Sequence, residues 1–246
     1  AIGSQVRRIR VPGAELEGVH YLRGIEDTHR LRAAAAPGKR LVVIGAGYIG
    51  LEVAATCRHL GVEVTVVEAL DRVMSRVVAP VVSEFFAAQH AAHGVRILCG
   101  AGVRAIEGSG HVESVVLADG SRLPADFVVV GVGVVPVTDI AESCGLEVSN
   151  GITADEHCRT SDPDIFAIGD CARRPMTHYA DRVQRLESVH NAVEGGRIVA
   201  AAITGGACAW SRSTTRSSRR RQPPRRSPAR PSRTTRCRGS GRISMI

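Results

Sequence analysis

Aromatic residues are scarce in this chain: Phe, Tyr and Trp make up 3% of its 246 positions. A core of ordinary size must therefore be built from Val, Ala, Leu and Ile, as in parallel sheets covered on both faces. Long hydrophobic runs are also missing. The longest, FVVVGVGVVPV at 127–137, falls far short of the roughly 20 residues that cross a bilayer, so no membrane is expected and the cytoplasm is the expected location. The seven cysteines (Cys57, Cys99, Cys144, Cys158, Cys171, Cys208 and Cys237) are odd in number and include no CxxC pair. That argues against a disulfide scaffold, a zinc site or a thioredoxin-type pair, and fits a reducing compartment. Acidic residues are absent from Ser211 to Ile246, where twelve arginines fall; subtracting them from the formal +8 leaves −4 for residues 1–210. The basic character thus belongs to the tail. Its Arg, Ser, Thr and Pro composition cannot offset the entropy of folding, so residues 207–246 are expected to be disordered. With no interleaved aromatics for base stacking, the tail is expected to bind no specific nucleic acid.

What the chain does have is concentrated in residues 41–68, LVVIGAGYIGLEVAATCRHLGVEVTVVE. An apolar run, a three-glycine turn, a helical pattern, a second apolar run and a closing acid follow in order, which is the pattern of a dinucleotide-binding βαβ unit. Gly45 permits the tight turn, Gly47 lets a pyrophosphate approach the backbone, and Gly50 lets helix and strand pack closely. The phosphates would sit on free N–H groups of a helix that starts at Tyr48 and Ile49. Glu68 ends the second strand 23 residues after Gly45, near the spacing of about 20 expected for an acid that binds the adenosine ribose. A carboxylate there repels a 2′-phosphate, so NADH is expected over NADPH.

Around this unit the sequence predicts a helix over about 26–36, stopped by Pro37 and Gly38, and another over 79–93, stopped by Gly94. A strand at VRILCG and alternating segments follow, with Asp119-Gly120 marking a hairpin. The expected fold class is α/β, a three-layer Rossmann-like domain with an antiparallel accessory sheet. From Pro136 the pattern changes to a short helical patch (TDIAESCGL), a turn at Asn150-Gly151, a strand over 164–170 and an amphipathic helix over 186–204, weakened in its middle by Gly195 and Gly196.

Four motifs in order resemble the two-dinucleotide flavoprotein reductases: AIGS at 1–4 with VPGAELEGVHYLR after it, GAGYIGLE at 45–52, GVGVVPVT at 131–138, and TSDPDIFAIGDCA at 160–172. RLESVHNAVEGG at 185–196 is similar to a run in the FAD-dependent ferredoxin, rubredoxin and putidaredoxin reductases, a branch of the pyridine nucleotide-disulfide oxidoreductase superfamily. The resemblance implies an NAD-binding domain over 15–134, inserted in an incomplete FAD-binding domain of the same type made of residues 1–14 and 135–206. It implies hydride transfer from NADH to FAD, then single-electron transfer to a ferredoxin- or rubredoxin-type protein.

By the same resemblance Arg76 contacts the adenosine half, Gly131 and Gly133 let the nicotinamide half approach, and Glu52 faces the nicotinamide. Glu52 also reads as an exposed helix acid. Gly169 and Asp170 would bind FAD, with Ser188, Val189 and His190 bordering the isoalloxazine; Asp170 also reads as a cap of the following turn. No catalytic nucleophile or base is assigned, because the chemistry requires only a stacked nicotinamide and flavin. The family's first GxGxxG, which seats the ADP end of FAD, is absent from this chain, so FAD retention is in question. The match stops near Gly206, and the sequence beyond is expected to be out of frame, since a frameshift in GC-rich DNA gives this composition. Two alternatives stay open: an NADH-binding module without turnover, and a disulfide reductase of the same superfamily whose redox cysteines would lie upstream of Ala1.

Overall fold

The computed structural model describes residues 2–176 and 182–205; the expected disorder of 207–246 lies outside the described residues. The centre is a five-stranded, all-parallel sheet in the order β2 (Val19–Tyr21), β9 (Phe127–Val130), β3 (Arg40–Ile44), β4 (Glu63–Val67) and β5 (Arg96–Leu98). Leu41 pairs with Val64 and Phe127, and Ile44 with Val67 and Val130. Successive side chains of a strand point to opposite faces, so unbroken apolar runs such as LVVI mean that both faces are covered.

The two coverings differ in kind. Leu41, Val43, Val64, Val66, Phe127 and Val129 pack with Leu31 of α1 (Ile25–Ala34) and with Leu51, Ala54 and Cys57 of α2 (Tyr48–His59); Ala87 of α3 (Pro80–Ala92) joins them. Val42, Ile44, Val67, Val128 and Val130 pack instead against Ile106, Val115, Leu117 and Leu123 of an antiparallel meander, β6 (Val103–Glu107), β7 (Ser114–Leu117) and β8 (Arg122–Pro124). The accessory sheet is therefore itself the third layer, and helices line only one face. Asp119-Gly120 makes the β7–β8 turn, where Asp119 accepts from the Ser121 amide and hydroxyl. At the start of the central strand, Asp126 clasps Arg40 through the Arg40 amide (2.8 Å) and its guanidinium (3.1 and 3.3 Å), while the Asp126 amide donates to the Arg40 carbonyl.

Residues outside this sandwich are joined to it by a ribbon in which β1 (Ser4–Val6) pairs antiparallel with β10 (Val134–Pro136). Beyond the ribbon, Ile2 packs with Ala141 of α4 (Asp139–Ser143), Leu146, Val148, Ile152, Ala167 and Ala172 in a small separate core. A three-stranded sheet of β11 (Ile152–Thr153), β12 (Ala172–Met176) and β13 (Arg182–Arg185) leads into α5 (Val189–Ile203). The strand expected over 164–170 does not form. Among the described residues that stretch has one bridge, Arg159 to Phe166, and ends in a single 3-10 turn, Gly169–Cys171. Apolar content alone does not make a strand; a ladder partner is needed. Helix α5 runs unbroken through Gly195 and Gly196. A Cβ on Gly195 would stand 3.1 Å from Cβ of Ile168, so the glycine lets the helix lie against the 3-10 turn.

Candidate functional site

The turn between β3 and α2 is built from three backbones in contact. Gly45 has φ +103°, a conformation that side chains resist, and a Cβ there would come within 2.6 Å of the Gly131 carbonyl oxygen. A Cβ on Gly50 would overlap the Gly45 carbonyl oxygen, and one on Gly131 would crowd the Gly50 amide nitrogen at 3.3 Å. Gly45, Gly50 and Gly131 are thus small because strand, helix and the strand after β9 touch there. Gly131 serves packing against α2, whereas Gly133 points into open space.

Gly47 differs from all three. It caps α2 without a side-chain acceptor, the first turn carries no acid, and a Cβ there would meet nothing within 4 Å. The N–H groups that open this helix lack intrahelical partners, and the dipole adds positive potential where they point. Tyr48 and Ile49, 56% and 37% exposed, leave apolar surface beside the turn. Glu52 is exposed one turn further along α2.

Glu68, half-buried at the end of β4, reaches back across the turn. One carboxylate oxygen accepts from the Ala46 amide (2.8 Å) and the other from the Leu70 amide (3.0 Å). Each oxygen keeps a free lone pair, since a carboxylate accepts about four hydrogen bonds. The loop after Glu68 is also tied to the turn, because the Met74 amide, in the left-handed region at φ +49°, donates to the Ala46 carbonyl at 2.9 Å. Arg76 is exposed on this loop and forms no ion pair among the described residues.

A second grouping forms where α5 meets the 3-10 turn. Gly169, with φ +71°, lies against Ala192, while Asp170 next to it is exposed. The turn's cap is Ile168 and no side chain caps it, so Asp170 does not act as a cap. Ser188 caps α5 by accepting from the Asn191 amide at 3.1 Å, and Ser188, Val189 and His190 are all exposed.

Sequence reasoning missed what holds these groups. Buried Arg174 donates to the Asn191 side-chain oxygen (2.6 Å) and to the Cys158 sulfur (3.2 Å), and Asn191 donates to the Leu186 carbonyl. Arg185 donates to the Asp170 carbonyl (2.9 Å) and pairs with Glu187, while its Nε is buried without an acceptor among the described residues. No local spacing announces an arginine that joins β12 to a helix 17 residues on.

Burial argues against thiolate chemistry at four of the described cysteines. Burial pushes the Cys57 thiol up to about 11 and raises Cys158 and Cys171. Cys99 is raised by burial and then by the Glu68 and Asp71 charges. A raised thiol pKa keeps the nucleophilic form scarce at neutral pH. No His, Cys, Asp and Glu grouping among the described residues could hold a metal, and no helix among them is long and apolar enough to cross a membrane.

Comparison with known proteins places these features in a wider set. The pyridine nucleotide-disulphide oxidoreductase family pattern matches residues 1–196. The chain is 48% identical over 206 residues to rhodocoxin reductase from Rhodococcus erythropolis, covering 83% of this chain and 48% of that one. It is 44% identical over 206 residues to rubredoxin-NAD(+) reductase from Pseudomonas putida, covering 83% and 53%. Among solved structures, the ferredoxin reductase of the CYP199A2 system from Rhodopseudomonas palustris shares 46% identity and a TM-score of 0.80, over 85% of this chain and 52% of that one. The chain spans about half the length of the curated relatives it matches.

Proposed function

The chain belongs to the pyridine nucleotide-disulphide oxidoreductase family, and from that premise we propose that it carries the NADH-binding and flavin-edge residues of a ferredoxin- or rubredoxin-type reductase. In this reading residues 15–134 are the NAD-binding unit, and residues 1–14 with 135–206 are its FAD-binding counterpart. The relatives' names supply the direction: one is a rubredoxin-NAD(+) reductase and another a ferredoxin reductase. An iron–sulfur or rubredoxin-type protein is the electron acceptor.

The observation that carries the reading is the open, side-chain-free cap at Gly47 beside the Glu68 carboxylate. An NAD pyrophosphate fits there on the first N–H groups of α2. Glu68 accepts the adenosine ribose hydroxyls on its free lone pairs, Arg76 approaches the adenosine half, and Tyr48 with Ile49 gives the dinucleotide an apolar surface. Gly133 leaves room for the nicotinamide half, and Glu52 stands on the same helix to face it.

The residues present also fit the flavin end of FAD. Asp170 and the exposed cap Ser188 to His190 would hold its ribityl chain and ring edge, and the orphaned Nε of Arg185 lies in the same network. A bound flavin supplies the acceptance of a hydride and the release of single electrons. This chain's part is to hold the two rings together and keep water from between them.

A second reading, NADH binding without turnover, is favoured by the turn of Gly45, Gly47 and Gly50 with Glu68, which offers the contacts a dinucleotide needs by itself. Purified full-length chain, supplied with FAD under anaerobic conditions and then with NADH, separates the two. The reductase reading expects retained flavin whose visible band bleaches with NADH and returns on adding an oxidised ferredoxin. Colourless protein that still binds NADH supports the second reading, and flavin bleached only by NADPH contradicts the donor assignment.

A further inference from the structure

The loop between β4 and α3 is more firmly held than its sequence suggests, and one arginine holds it. The Arg72 guanidinium donates to the Val78 carbonyl (3.0 Å), the Ser75 carbonyl (2.9 Å) and the Ser83 hydroxyl (2.7 Å). Ser83, 1% exposed in the first turn of α3, donates its own hydroxyl hydrogen bond to the Val73 carbonyl. Val73 and Met74 lie in the main core, and the Val77 and Val78 amides donate to the Met74 carbonyl. Further back, the Gly100 amide holds the Leu70 carbonyl. Residues 70–78 thus form a closed bracket with Arg72 at its centre, fixed to the glycine turn through Met74 and Ala46. Arg76 lies within this bracket and is exposed.

We propose that Arg72 is a positioning residue for dinucleotide binding: it does not touch the ligand but fixes the bracket so that Arg76 stands beside the adenosine end of the site. The planar guanidinium suits this task because it reaches two carbonyls and a hydroxyl in different directions at once. A lysine has three donors on one atom and cannot span those acceptors. All three partners are neutral, so Arg72 is not spent on an ion pair, and its loss frees the segment that carries Arg76 instead of exposing a buried carboxylate. The proposal rests on the dinucleotide reading of the Gly45 to Gly50 turn.

The test is a double-mutant cycle, with NADH titrated calorimetrically into full-length chain. Arg76→Ala in the wild-type background should weaken NADH binding about fivefold, as expected for one charge-assisted contact. In an Arg72→Met background the same change should have almost no further effect, because Arg76 no longer stands in place. Arg72→Lys should behave like Arg72→Met in the cycle. An Arg76→Ala penalty that is the same in both backgrounds overturns the proposal while leaving the site intact. Should Arg72→Met fail to fold, Ser83→Ala removes one acceptor of the bracket and is cycled against Arg76→Ala in its place, with partial loss of the Arg76 penalty expected and a full penalty overturning the idea. Wild-type chain that binds no NADH overturns the dinucleotide reading itself, a result distinct from a cycle without coupling.

Discussion

Glycines that look alike in the GxGxxG turn have different duties, and the direction of the missing Cβ separates them. At Gly50 it points into the Gly45 carbonyl, which is backbone and cannot move aside. At Gly47 it points into open space at the uncapped helix start, and φ is −79°, a value any residue adopts. Gly50→Ala should therefore lower stability by about 3 kcal/mol through overpacking. Gly47→Ala should leave the urea midpoint nearly unchanged and cost at least about tenfold in NADH affinity, because its methyl occupies the space the pyrophosphate needs. Equal effects of the two substitutions on stability would show that both glycines serve packing alone. Glu68 clasps the Ala46 and Leu70 amides and still retains lone pairs, which the proposed ribose contact would use. Its position at the end of the second strand was legible from spacing; its hold on the turn was not, because that depends on where two loops meet in space.

At the scale of elements, the sequence is informative where periodicity and punctuation agree. The βαβ unit, the helix stopped by Pro37 and Gly38, the helix before Gly94 and the Asp119-Gly120 hairpin all form where their patterns lie. The segment 164–170 misleads because a strand needs a partner that no local pattern reveals. The nature of the third layer was similarly hidden, since meander strands and helices both offer apolar faces to a sheet. Long-range locks are the least visible feature, and the pairing of Asp126 with Arg40 is one. Hydrogen bonding from the Arg40 side chain, opposed in part by burial and helped by the Arg40 amide, lowers the Asp126 carboxyl below its usual 3.8. A lowered folded-state pKa gives stability that is present above 3.8 and is lost as pH falls through the lowered value. Asp126→Asn should thus cost stability at neutral pH, held below about 1 kcal/mol by solvent screening, and the gap should close in acid. A gap that persists in acid denaturation curves would assign the effect to packing.

At the scale of the whole molecule, this member of the pyridine nucleotide-disulphide oxidoreductase family keeps two groups of residues apart along its chain. The turn at Gly45 to Gly50 lies at one end of the parallel sheet, and the Asp170 turn with α5 lies beyond the β1–β10 ribbon. The bracket around Arg72 and the Arg174 network have no sequence motif, because their partners are gathered by folding. If the Gly47 cap and the Glu68 carboxylate form an NADH site, the preference between NADH and NADPH depends on Glu68. Parallel titration of the full-length chain and its Glu68→Ala variant with NADH and NADPH tests it most directly. The wild type should prefer NADH, and the variant should lose about 1–3 kcal/mol of that preference, by giving up ribose hydrogen bonds and the repulsion of a 2′-phosphate. A wild type that binds neither dinucleotide, or a variant whose preference is unchanged, would contradict it.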